Sequence, residues 1–282
     1  MENKDFYADV LRKLREAGLE ELARTIALKA RDSIRIERDE GSSGAAVPSK
    51  LGGRPDLPPT FAWPVGESHP LAFLAQFNLS EVAPLAEETG LPGEGALYVF
   101  YDWQQQPWGF EAQDCDGWRI VYLLPEDLHT LEALEPPAED PEACPFFKEI
   151  FLRFYRQRTL PGPDSPELEA LDLDDDDLDA YCDIIGELEE EHRPLHQFFG
   201  YPTQDQSTDM PAEAAKLASQ AFPKTPPPAK PEGDEWVMLL QIDSDDEAGF
   251  MWGDMGRLHF WIRRDDLRYR RFERAWMFLL CG

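Results

Sequence analysis

Positive charge is scarce in this chain. Its 282 residues hold 27 Lys and Arg against 56 Asp and Glu, a formal net charge of −29. Such an excess repels phosphate backbones and anionic lipid surfaces, which excludes nucleic acid and membrane as direct partners. A basic protein is the partner class that the charge favours, and simple solubility is the plainer reading. Long apolar runs are missing too: no 18 consecutive apolar residues occur, so no membrane span is expected. The opening MENKDFYADVLRKLREAG lacks the apolar core of a signal peptide. Cysteine is rare, with Cys115, Cys144, Cys182 and Cys281 far apart and without CxxC spacing. Free thiols and a cytoplasmic location are the expectation.

The familiar catalytic signatures GxGxxG, HExxH and GxSxG do not occur. Catalytic groups can still be assembled from distant positions, because such sites are defined by geometry. Whether the protein is an enzyme is therefore left open by the sequence.

Aromatic residues are plentiful at 12%, with 8 Trp and 17 Phe, which is the composition of an ordered globule. Phe6, Val10, Leu14, Leu19, Leu22 and Ile26 recur at helical steps around Gly18, predicting a helical leader over residues 1–32. Ser33 to Glu37 alternates as a strand. Apolar strands are expected at Leu71–Phe77, Gly95–Tyr101, Trp118–Leu124 and Ala275–Cys281. Pro125 to Leu128 reads as a turn leading into a helix, and Phe146 to Arg158 as helical. Asp164 to Glu191 carries 14 acidic residues and no Lys or Arg, yet keeps Leu171, Leu178, Ile185 and Leu188 at helical spacing. It forms the charged part of an acidic helical connector over residues 140–196. Ala212 to Ala221 looks helical, and Pro223 to Pro231 reads as a stiff linker.

Two stretches share an order of residues. FLAQFN at 73–78 parallels MLLQID at 238–243, and GALYVFY at 95–101 parallels GRLHFWI at 256–262. A G-x-P element precedes each, at Gly53–Pro55 and Gly200–Pro202. The ordered matches predict two related β-hairpin copies, at about 50–130 and 197–267. The fold class expected is α+β, with mixed or antiparallel sheets built on those copies.

The motifs SKLGGRPDLPP, LAFLAQFNLSEV, GALYVFYD, LLQIDSDDE, WGDMGRLHFWI and the terminal MFLLCG resemble the YwqG-like family, a domain of unknown function (DUF1963). The resemblance runs from about Ser33 to the end and implies an α+β fold of mixed sheets over 33–282. It implies no activity, substrate or catalytic residue. It carries an association with bacterial toxin systems, hence an immunity or accessory role as an expectation.

Two sets of candidate binding residues follow. The loop 243–255 joins two strands through many more residues than a tight hairpin needs, and long ordered loops often carry function. Its Asp243, Asp246, Trp252 and Asp254 form the first set, a contact surface for a basic protein together with the connector. Asp243, Asp245, Asp246 and Asp254 read either as ligands for a hard cation or as Asx-type turn caps. No calcium-loop register is present, so no metal is assigned, nor any cofactor. The second set is Gln76, Gln241 and Lys50, lining a small-molecule pocket between the copies in an alternative function as a ligand-binding protein or enzyme. The paired Gln residues read first as structural clamps, since a Gln in a buried strand must satisfy donor and acceptor alike. His192 and His196 share an H-x3-H spacing that Pro194 spoils for metal binding.

Overall fold

A computed structural model describes residues 6–41, 45, 47–86, 89–137, 144–163, 165–203, 209–222 and 235–281. The Pro223–Pro231 linker lies outside them. The leader forms α1 (Phe6–Glu16) and α2 (Glu20–Ala27), parted at Gly18, whose φ of +85° suits glycine. The strands are β1 (Arg31–Arg38), β2 (Lys50–Leu51), β3 (Asp56–Leu57), β4 (Ala72–Asn78), β5 (Ala96–Tyr101) and β6 (Trp118–Leu123). They continue with β7 (Glu132–Ala133), β8 (Ile150–Thr159), β9 (Gln197–Phe198), β10 (Trp236–Asp243), β11 (Arg257–Arg263) and β12 (Trp276–Leu280). The remaining helices are α3 (Leu79–Val82), α4 (Pro166–Glu169), α5 (Asp175–His192), α6 (Met210–Ala221) and α7 (Arg264–Arg268).

Ten strands make one sheet in the order β12-β11-β10-β9-β1-β8-β2-β4-β5-β6, and β3 pairs separately with β7. Every pairing among these strands is antiparallel. The fold is therefore α+β as expected, and of the two expected sheet types, mixed or antiparallel, the described pairings are antiparallel.

The sheet curls until its two edges nearly meet. The Trp118 indole donates to Ala275 O at 2.9 Å and its ring lies edge-on to Trp276 at 5.0 Å. The Trp276 indole donates to Gly109 O at 2.8 Å, and Leu279 N–H donates to Trp108 O. Inside the curl lies the main core, drawn from every long strand: Ile36, Phe77, Val99, Ile120, Leu152, Ile242, Leu258, Phe260 and Phe278. A second cluster on the outer side of β4 and β5 packs Phe73, Tyr98 and Phe100 beneath Phe61 and Trp63. This double cover explains why β4, β5, β10, β11 and β12 read as nearly continuous apolar runs.

The segment 146–158 is not a helix. Ile150 to Thr159 is β8, which pairs with β1 along all eight residues of the latter. Its apolar residues fit helical steps, but the buried Ile150, Leu152 and partly buried Phe154 sit at alternate positions, the period of a half-covered strand. The turn at 125–128 is a single 3-10 turn followed by the short β7, without the helix expected there. Within 164–191 the helical reading agrees with α4 and α5. The apolar stripe of α5, with Tyr181, Ile185 and Leu188, joins Phe6, Val10, Leu14, Leu22 and Ile26 of the leader in a third cluster.

Candidate functional site

Gln76 and Gln241 are both fully buried, and their bonds run in parallel. The Gln76 amide oxygen accepts from Asp56 N at 2.9 Å, while its nitrogen donates to Pro48 O and to Asp56 Oδ2. The Gln241 amide oxygen accepts from Thr203 N at 2.9 Å, while its nitrogen donates to Leu195 O and to the Thr203 hydroxyl. Each Gln pins the chain on both sides of a short neighbouring strand, and neither has an amide atom left for a ligand. Lys50 pairs with Gln76 in register as Gln197 does with Gln241. The β4–β5 and β10–β11 ladders both slip at a leucine, Leu74 in one and Leu239 in the other. Positive φ follows both short strands, at Gly52 and Gly53 (56° and 68°) and at Phe199 and Gly200 (57° and 80°).

Asp243 is buried at the end of β10. Its carboxylate accepts from Leu195 N at 2.8 Å and from Arg257 Nε at 3.2 Å. Arg257, itself buried, also faces Glu189 of α5 at 3.1 Å and donates to Thr203 O. Asp245, weighed in the sequence as a cation ligand or turn cap but not placed in the binding set, is the most engaged carboxylate of the loop. It meets His196 Nε2 at 3.3 Å and the Arg38 guanidinium, and accepts from Glu247 N at 2.9 Å. Burial alone would raise its pKa. The hydrogen bond from His196, the charge of Arg38 and the Ala248 N–H outweigh that and hold it at about 2. His196 Nδ1 accepts from Asp243 N, so its other nitrogen carries the proton toward Asp245. His192 instead faces Asp9 at 3.2 Å, and the two histidines serve different carboxylates.

Trp252 is fully buried. Its ring packs against Tyr101, Trp103 and Phe250 at 5.6, 5.7 and 5.0 Å. Asp246 and Asp254 are exposed. The four loop candidates therefore divide: Asp243 and Trp252 hold the loop from below, and Asp246 and Asp254 reach solvent. Met251 and Met255 flank the tip at 36% and 39% exposure, with Trp108 at 48% on the neighbouring loop. Gln106 ties those loops together, accepting from Gly253 N at 2.8 Å and donating to Met251 O. Arg193, just past α5, donates to Met255 O at 3.3 Å, which joins the loop tip to the end of the acidic helix.

Lys50 lies elsewhere. It lines an open cleft of about 590 Å³ together with Pro48, Gly53, Arg54, Asp56, Ala133, Phe146, Glu149 and Phe151. Neither Gln241 nor the 243–255 loop contributes to that lining. No group of three or more His, Cys, Asp or Glu placed to hold a metal occurs among the described residues.

A family model for a domain of unknown function, DUF1963, matches residues 49–281. The chain belongs to the DUF1963 family. A search of curated proteins finds no match. The DUF1963 match begins after β1, yet β1 lies in the middle of the sheet between β9 and β8. Gln76, Gln241, the loop and every cleft residue except Pro48 fall inside the DUF1963 region, whereas the leader that packs on α5 precedes it. No helix among the described residues is long and apolar enough to cross a membrane.

Proposed function

We propose that this DUF1963 protein is a cytoplasmic binding protein that engages a basic protein partner through α5 and the tip of the 243–255 loop. One observation carries the reading. Asp176, Asp179, Asp183 and Glu190 are exposed along α5 and make no ion pair among the described residues. Like charges three and four residues apart cost helix stability, so an unneutralised stripe suits an external cation. The stripe ends at Arg193, and beyond it lie Asp254 and the half-exposed Met251 and Met255. Flexible thioethers rimmed by charge form an adaptable contact surface. Asp246 adds charge at the loop's near side, and Asp243 and Trp252 fix its shape. A cationic toxin effector is one partner of this chemistry, which would make the role one of immunity or accessory function.

The parallel bonds of Gln76 and Gln241, the matched slips at Leu74 and Leu239, and the paired positive φ values support an internal duplication of the hairpins. In this reading α4, α5 and the leader are additions to a duplicated body.

Capture from lysate of the native organism, washed at low and at high salt, tests the binding role. The wild-type chain should retain a basic protein that is lost at high salt. The chain with Asp176→Asn, Asp179→Asn, Asp183→Asn and Glu190→Gln should not retain it. Neutralising Asp179, Asp183 and Glu190 relieves like-charge repulsion, while Asp176 in the first turn gives up a favourable dipole contact. An unchanged circular-dichroism spectrum is therefore required to show that unfolding does not explain a loss. Equal recovery by both chains contradicts the assignment.

A further inference from the structure

The cleft around Lys50 has no counterpart in the other half of the sheet. At the matching register position, Gln197 donates to Phe199 O and to Tyr201 O, and Tyr201 is buried with its ring beneath Arg31. That position is closed and satisfied by the chain itself. Around Lys50 it is open. The Lys50 ammonium is buried, held by Glu149 Oε2 at 3.0 Å and Asp56 Oδ2 at 3.1 Å. An ammonium has three donors, and the third has no partner among the described residues. Asp56 is in turn fixed by Gln76, so the charged floor is rigid.

We infer that this cleft binds a small zwitterion with an apolar arm, of the size of an aromatic or branched amino acid or a dipeptide. The lining supplies two cations, Lys50 and Arg54, and two carboxylates, Asp56 and Glu149. A lone anion would meet the carboxylates and a lone cation the ammonium and guanidinium. A ligand carrying both charges is complementary to both. Its carboxylate would take the free Lys50 donor and the Arg54 guanidinium, and its ammonium the free oxygens of Glu149 and Asp56. Phe146, half-exposed, lies under Arg54 with the guanidinium 5.5 Å from the ring centre. With Phe151 and Pro48 it offers an apolar wall. About 590 Å³ falls within the usual range of ligand clefts.

Calorimetric titration of the full chain with phenylalanine, leucine and the Phe-Leu dipeptide tests this, with the N-acetylated and the C-terminally amidated form of each as controls lacking one charge. At least one zwitterion should bind, and both of its blocked forms should bind about ten-fold more weakly or not at all. Arg54→Ala and Phe146→Ala alter exposed side chains, so the fold stays intact, and each should weaken binding several-fold. The inference is overturned if none of the three zwitterions binds, if blocked forms bind equally, or if neither substitution changes affinity.

Discussion

Gln76 and Gln241 each answer for two backbone groups that would otherwise be buried without partners. Replacing either by Leu keeps the volume and strands those groups, at about 1–3 kcal/mol each. Urea unfolding of Gln76→Leu and Gln241→Leu should show comparable losses, and an unchanged midpoint in either would refute the clamp. His259 is a further buried polar residue, with neither ring nitrogen hydrogen-bonded among the described residues. Burial, with the charge of Arg257, lowers its pKa to about 3 from an ordinary 6.5. The folded state therefore keeps it neutral while the unfolded chain takes up a proton, so stability falls as pH drops from 6.5 toward 3. Asp245, depressed to about 2 from 3.8, adds a later loss as pH falls below 4. His259→Phe should flatten the first part of that decline and leave the second. An identical pH profile for variant and parent would contradict the assignment. The Gln pair was legible in the sequence because matched positions in two apolar strands drew attention to it. Asp245 and His196 were not, since nothing local marks which of several Asp residues a distant histidine and arginine will meet.

Elements whose cover is one-sided or two-sided along their whole length were the legible ones. The leader, β4, β5, β11, α5 and α6 all lie where periodicity puts them. The strand β8 was missed because Phe, Tyr and Leu on both of its faces imitate helical spacing, and only its partner β1 settles the matter. Two-residue strands such as β2 and β9 leave no periodic signal at all, although Lys50 and Gln197 depend on them. The helix α5 has little support of its own: its exposed face is a row of like charge, and a helix of this kind depends on packing. That packing comes from α1 and α2 through Phe6, Val10, Leu14 and Leu22, with Lys13 bonded to Glu187 at 2.7 Å. Deleting residues 1–27 should reduce the circular-dichroism helix signal by more than α1 and α2 carry. A loss matching those two helices alone would mean that α5 stands without the leader.

At the scale of the molecule, a nearly closed antiparallel sheet provides the body, and function is read from what is added to its outside. The charge imbalance was visible from composition, and the continuity of the α5 stripe with the methionines of the loop tip was not. It depends on one long-range bond, from Arg193 to the Met255 carbonyl, between residues 62 positions apart. The candidate loop was singled out for its length, and half of the residues chosen from it, Asp243 and Trp252, prove to be its internal supports. The proposed partner surface is therefore its tip and α5. The most direct test is calorimetric titration with a synthetic basic amphipathic peptide and with a scrambled peptide of the same composition. The wild-type chain should bind the amphipathic peptide more tightly than the scrambled one, with affinity falling as salt rises. Neutralising Asp176, Asp179, Asp183 and Glu190 should abolish most of that binding, and Met251→Ser with Met255→Ser should erase the preference between peptides. Binding of neither peptide at low salt, or binding unaffected by the neutralised stripe, would contradict the account.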